Sequence, residues 1–230
     1  MWMEFVKNIR ELTLLSISLR LLLAIFAGIL IGIDRGMKRR GAGIKTHVLV
    51  CLGSAVVMMT GQYINHYFGA GNDISRLGAQ VISGIGFLGV GTIIVTGRNQ
   101  VRGLTTAAGL WACACIGLAF GIGFYEGGLL MLVFVYVTFI GLTKLDLYVY
   151  QHSKVLELYI EVDSGKRTVE LMKMLRKMDL RVSSFETTKT KIKNDCVSVM
   201  ATLELPNRHM REETLLEIRD MAGVLFVEDL

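Results

Sequence analysis

Polar side chains placed where they could do chemistry are few in this sequence, and they cluster. Arg20 interrupts an otherwise apolar stretch from Leu12 to Ile33, Asp34 and Arg35 close that stretch, and Thr46 and His47 open the next. Asp73 and Arg76 precede a third apolar run, and Arg98-Asn99-Gln100-Val101-Arg102 separates it from a fourth that begins near Thr105 and Thr106. An unpaired charge at a bilayer centre costs at least about 2.5–3.5 kcal/mol, so Arg20 requires a partner or a snorkelling route. Two readings of Asp73 stand level: it pairs with Arg20, Arg76 or both, or Asn72 or Asp73 caps the following helix. Asp34 and Arg35 read first as snorkelled anchors beside Lys38, Arg39 and Arg40. The functional alternative sets Asp34, Thr46 and His47 around a polar cavity closed by the 98–102 loop. Thr105 and Thr106 are candidate caps for the fourth helix. Asp34, Asn99 and Thr105 offer the hard oxygen donors that Mg²⁺ accepts, but the apolar runs hold too few acids for a dedicated cation path.

Other motifs carry less. Gly84-Ile-Gly86-Phe-Leu-Gly89 matches the dinucleotide fingerprint in form only: no strand precedes it, and no Asp or Glu occurs between Asp73 and Glu126 to hold a ribose. Cys51, Cys113, Cys115 and Cys196 give neither a disulfide framework nor paired Cys-x-x-Cys zinc spacing. No Ser-His-Asp arrangement, paired-carboxylate motif, P-loop or metalloprotease motif occurs, so the reading is of a protein that is not an enzyme and holds no cofactor.

The elements that must position these residues are membrane helices. Mean hydropathy is +0.50 and 52% of the 230 residues are hydrophobic. Thr46 to Asn72, Leu77 to Gly97, Gly103 to Tyr125 and Gly127 to Thr143 contain no charged residue, and a crossing needs roughly 20 mostly apolar residues. With the Arg20 stretch this predicts about five spans. Lys7 and Arg10 precede that first stretch as in a signal peptide, but it outruns the roughly 7–15 residues of a signal core. Residues 1–150 carry 12 Lys+Arg against 6 Asp+Glu, whereas residues 151–230 carry 13 against 14. The bases follow the first, third and fifth spans, which predicts the N-terminus outside and the C-terminal domain in the cytoplasm. Beside apolar spans, basic loops point to anionic lipid headgroups and away from nucleic acid.

Small residues recur at spacings of four, as in Ala24/Gly28/Gly32 and Gly109/Cys113/Gly117/Gly121, which lets helix backbones approach closely. Gly84, Gly86, Gly89 and Gly91 encircle the third helix, which predicts a central position or a local unwinding of the kind transporters use. Close packing is the simpler reading. After Thr143 the pattern turns soluble. Leu156/Leu158/Ile160/Val162 alternate with polar neighbours, and a helix with inner face Leu171, Met174, Leu175 and Met178 follows. Next come a polar strand over 180–192, a turn at Lys193-Asn194-Asp195 and a strand over Val197 to Leu205. A helix capped by Asn207, with Leu215, Ile218 and Ala222 inward, leads to a last strand from Val224 to Val227. The predicted fold is thus an all-α membrane bundle over 1–150, then a small α+β ferredoxin-like domain over 151–230, in β-α-β-β-α-β order.

Together these stretches resemble the MgtC/SapB family. The resemblance rests on Arg20-Leu-Leu-Leu-Ala, Gly32-Ile-Asp34-Arg35, Gly43-Ile-Lys45-Thr46-His47, Asp73-Ile-Ser-Arg76, the Ala79 to Ile93 run and Val101-Arg102-Gly103-Leu104-Thr105-Thr106 through Trp111. It covers most of residues 20–125. Position 34 is usually Glu in that family and is the shorter Asp here. The C-terminal part is similar to the ACT-like domain of longer members. It lacks the Pro-Gly signature of amino-acid-binding loops near Asp163-Ser164-Gly165, which favours dimerisation or partner docking over ligand sensing. The resemblance implies a bacterial inner-membrane protein that supports growth in low magnesium and, in pathogens, survival in phagocytes. It also implies a regulatory role toward other membrane proteins, the F-type ATP synthase among them. The competing expectation is a transporter or channel for Mg²⁺ or another small solute.

Overall fold

The computed structural model describes residues 10–37, 41–69, 73–96, 101–178, 180–189, 196–207 and 210–230. The expectations placed on Asn72, Lys38 to Arg40, Arg98 to Gln100 and the turn at Lys193 to Asp195 lie outside these residues. The chain divides into two compact units, Met1–Thr143 and Lys144–Leu230.

The first unit is helical. Among the described residues four helices are long and apolar enough to cross a membrane: α1 (Leu14–Met37), α2 (Ile44–Phe68), α4 (Leu104–Ile122) and α5 (Tyr125–His152), the candidate span of the last ending at Tyr150. Between α2 and α4 stands α3 (Ser75–Val90) with 16 residues, about 24 Å of helix against a hydrocarbon core of about 30 Å. The third of the five expected spans, over Leu77 to Gly97, is therefore shorter than predicted. Its helix stops because the Thr92 hydroxyl and amide both turn back onto the Gly89 carbonyl, at 2.8 and 3.0 Å. The β-branched residues that follow form a two-residue strand, β1 (Ile94–Val95), antiparallel to β2 (Val101–Arg102). Hydropathy cannot separate a short apolar strand from a continuing helix.

Backbone proximity organises the centre. A Cβ on Gly28 or Gly32 would lie 2.5 or 2.6 Å from the Cα of Val48 or Ile44 on α2. One on Gly117 or Gly121 would lie 2.3 or 2.4 Å from the carbonyl oxygens of Cys51 and Ala55, also on α2. The small-residue stripes of α1 and α4 thus clamp α2 from two sides, with Ala24, Ala27, Ile31, Cys113, Ile116 and Phe120 fully buried around it. This is dispersion-driven packing, since lipid tails offer helices no hydrophobic gradient.

The third helix is not central. It runs antiparallel to α4, with Gly78 near Leu118 and Gly89 against Ala107, and buries only Gly78, Ile85 and Gly89. Gly84 and Gly86 have nothing within 4 Å of where a Cβ would stand, so they are exposed positions and not packing contacts. Gly91 ends the helix as its C-cap. One face suffices to dock a helix at the bundle edge, and these glycines lie off that face.

The second unit forms a four-stranded sheet, β3 (Val155–Val162), β4 (Arg181–Lys189), β5 (Val197–Glu204) and β6 (Val224–Asp229), in the order β4-β5-β3-β6 with every neighbouring pair antiparallel. Helices α6 (Gly165–Lys177) and α7 (Arg211–Arg219) complete the β-α-β-β-α-β order. Leu156, Leu158, Ile160 and Val162 alternate inward and meet Leu171 and Leu175 of α6 and Ile218 of α7 in one core. Each such side chain contributes about 1.5–3 kcal/mol by burial. Met210, the N-cap residue of α7, donates its amide to the Asn207 carbonyl at 3.1 Å, and one detail departs from expectation. Ala222 lies past the end of α7 and is exposed. Arg211 grips Asp229 with two bonds of 2.9 Å and stacks on the Tyr150 ring at 4.3 Å, tying the start of α7 to β6.

Candidate functional site

The bundle holds two buried polar centres at opposite ends of its helices. The first is built on Arg20, fully buried in α1. Four of its five N–H groups are engaged: Nη1 donates to Gln62 Oε1 at 2.6 Å and to the Gly121 carbonyl at 2.7 Å, Nη2 to the Arg10 carbonyl at 2.7 Å, and Nε to the Tyr125 hydroxyl at 3.3 Å. The geometry follows from the end of α4, whose last four carbonyls have no intrahelical partner. Gly123, at φ +84°, reverses the chain so that the Phe124 amide takes the Ala119 carbonyl and the Gly123 amide takes the Phe120 carbonyl. Arg20 then takes Gly121, and Gln62 Nε2 donates to the Ile122 carbonyl at 3.0 Å. Every orphan acceptor is matched. The buried cation also faces the negative end of the α4 dipole, where positive charge is stabilised.

Arg20 therefore does not pair with Asp73. The Asp73 carboxylate accepts the Ser75 amide at 2.9 Å and its hydroxyl at 2.5 Å at the start of α3, and these bonds, the hydroxyl first, hold its carboxyl below the usual carboxylate range. Arg76 is exposed one turn on. Arg10 pairs with Glu126 at 2.5 Å, with both side chains more than half exposed, where solvent screening leaves the contact little net effect. Beside this end lies a cavity of about 480 Å³ bordered by Thr13, Gln62, Asn65 and His66.

The second centre joins α1, α2, α4 and α5. Arg35, 5% exposed, donates through Nε to Asp34 Oδ2 at 2.8 Å and through Nη2 to the same oxygen, and its guanidinium lies 4.3 Å from the centre of the Phe139 ring. His47 is fully buried; its Nδ1 donates to the Gly43 carbonyl at 2.8 Å, which leaves Nε2 as the acceptor, buried and without a partner. Gly109 makes room for both rings: a Cβ there would stand 3.2 Å from Phe139 Cζ and 3.5 Å from His47 Nε2. Cys113 Sγ donates to the His47 carbonyl at 3.3 Å, which ties Cys113 into helix packing.

The remaining predicted residues are dispersed. Thr46 borders a groove between α2 and α3. Arg102 and Thr105 are exposed, and Thr106 is buried in the first turn of α4. Neither threonine caps that helix: its N-cap is Gly103 at φ +99°, where a Cβ would fall 2.0 Å from the Thr92 carbonyl oxygen. Gln62, Tyr125, Gly123 and Phe139 were not singled out from the sequence. Gln62 alone left a signal, as an amide inside an uncharged run.

Among the described residues no three His, Cys, Asp or Glu side chains converge on a common point. Among the described residues both buried charges of the bundle are guanidinium groups, and only Arg35 has a carboxylate beside it. This chemistry gathers carbonyl and carboxylate oxygens and repels cations.

The model of the MgtC family matches residues 21–148, from within α1, one residue after Arg20, to within α5. The chain belongs to the MgtC family. Apolar helices and membership of the MgtC family together make it a membrane protein. It is 45% identical over 118 residues to an Escherichia coli K12 protein named "Putative magnesium transporter YhiD", covering 48% of this chain and 53% of that one. To Protein MgtC of Salmonella typhimurium LT2 it is 42% identical over 111 residues, 48% and 46% of the two chains. To Protein SapB of Bacillus subtilis it is 29% identical over 182 residues, 74% and 76%. The chain thus spans about half the length of the E. coli and Salmonella relatives. No solved structure matches it.

Proposed function

We propose that this MgtC-family chain is a non-enzymatic regulatory protein of the bacterial inner membrane that acts in magnesium homeostasis by contacting other membrane proteins. The observation that carries this reading is the sign of the buried charge. A path for Mg²⁺ calls for converging oxygen donors, whereas Arg20 places positive charge at one end of the bundle and Arg35 already occupies the Asp34 carboxylate at the other. Contact surface is plentiful: α5 exposes Leu129, Leu130, Val133, Phe134 and Val137 along much of its length. A partner helix can cover such a face by packing alone. The F-type ATP synthase is one candidate partner, and a second copy of the chain is another. The C-terminal unit, read as ACT-like and cytoplasmic, would tune assembly, and the N-terminus would lie outside. That topology requires α3 to count as a fifth crossing despite its length. Support for low-magnesium growth, and in a pathogen for survival in phagocytes, would follow from the same contacts.

Transport is the second reading, favoured by the name of the E. coli relative and by the polar cavity beside Gln62. One experiment separates the two. The full chain, purified in gentle detergent, is expected to bring down a defined membrane complex by mass spectrometry, and in liposomes to give no saturable Mg²⁺ flux. Flux that saturates and is lost with Asp34→Asn would overturn the regulatory reading.

A further inference from the structure

A groove of about 490 Å³ opens on the bundle surface between α2 and α3. Leu49, Val81 and Leu88 form apolar walls, and Gly53 and Gly84 leave open space, with no atom within 4 Å of either Cβ position. From Lys45 to Gly53 the groove follows eight residues of α2, about 12 Å, close to the depth of one leaflet of a hydrocarbon core about 30 Å thick. Volume over length gives a cross-section of about 40 Å², far below that of a helix about 10–12 Å wide with its side chains, but ample for an extended hydrocarbon chain. The groove is not neutral at its mouth. Lys45 sits there in the first turn of α2, exposed, and among the described residues no carboxylate pairs with it. The Thr46 hydroxyl borders the same groove, and the N-cap Gly43 supplies no side-chain acceptor for the first amides of α2.

We infer that this groove binds an anionic phospholipid, one acyl chain lying between α2 and α3 and the phosphate meeting Lys45. A single lysine at the mouth attracts a headgroup of net negative charge and has little to gain from a zwitterionic one. The glycines at 53 and 84 then have a use that helix packing does not give them: they keep the channel wide enough for the chain. The inference does not depend on which function the protein performs.

The test uses the full chain in detergent, delipidated and then offered phosphatidylglycerol or phosphatidylcholine with the same acyl chains, with bound lipid counted by native mass spectrometry. One phosphatidylglycerol is expected to be retained, about tenfold more than phosphatidylcholine, and inorganic phosphate should not displace it. Lys45→Gln should reduce retention about tenfold and Lys45→Arg should preserve it. Gly84→Leu should abolish retention while leaving the lipid-free melting temperature unchanged, and Gly53→Leu fills the same space from the opposite helix. Equal retention of the two lipids overturns the proposal, as does undiminished phosphatidylglycerol binding in either leucine variant. If Gly84→Leu instead dissolves a cross-linkable dimer formed without lipid, the groove is a protein interface and the lipid assignment fails.

Discussion

The two ends of the helical bundle handle a buried arginine in different ways. At the Arg20 end the guanidinium binds main-chain oxygens and a neutral amide, and every open carbonyl of α4 finds a donor. At the Arg35 end the charge is neutralised by its sequence neighbour Asp34 and covered by Phe139, while His47 beside it keeps one nitrogen without a partner. A densely matched polar network favours a single arrangement, whereas a sparsely matched one leaves freedom to rearrange or to accept another group. The first end therefore serves as the anchor and the second as the end where change is cheaper.

The largest effect that would break this contrast is at Arg20. Arg20→Leu orphans the Gly121 and Arg10 carbonyls and half of Gln62, and we expect a loss of about 3–5 kcal/mol in denaturant unfolding of the detergent-solubilised protein. Asp73→Ala should change stability little, and joining Arg20→Asp to Asp73→Arg should rescue nothing; a rescue would mean that the two side chains meet after all. Next comes Gly121→Ala, whose Cβ would stand 2.4 Å from the Ala55 carbonyl. Parting α2 from α4 should cost about 1–3 kcal/mol, while Gly84→Ala on the open face of α3 should be neutral or slightly stabilising.

At the other end the expected costs shrink. Arg35→Gln gives up one carboxylate contact and a ring contact, about 1–3 kcal/mol. His47→Leu loses a single bond to Gly43 and removes the unmatched nitrogen, about 1 kcal/mol. If thermal unfolding showed His47→Leu to be as damaging as Arg20→Leu, the two ends would be equivalent and the contrast wrong. The smallest effect concerns Asp73. Its carboxyl is held below the ordinary range in the folded protein, so the stability that contact contributes is present above that range and is lost as pH falls through the folded value. Ser75→Ala should raise the Asp73 value toward the ordinary one in a carboxyl NMR titration, with little change in melting temperature.

Much of this organisation could be read from residue types. The glycine stripes of α1 and α4 announced where backbones touch, and the alternation of Leu156 to Val162 announced the buried face of a sheet, because both signals depend on side-chain size and polarity at fixed periods. What escaped lacks that signature. Two of the four acceptors around Arg20 are main-chain carbonyls, which every residue has, so nothing in the sequence marks Gly121 or Arg10 as its partners. Gly84 and Gly86 look like packing glycines until the docking face of α3 is known. The early end of α3 was hidden because Ile93, Ile94 and Val95 are as apolar in a strand as in a helix.

Because position 20 grips main chain, substitution of the gripped side chains cannot make up for its loss. A genetic selection that starts from a defective residue 20 should return few second-site revertants from the tail of α4. It should instead favour a true reversion, or a new long cation projecting from elsewhere into the same knot of oxygens. Half of the fastening recognises a shape of the backbone, where composition can drift without loosening it, and the other half depends on the side chains of Gln62 and Tyr125.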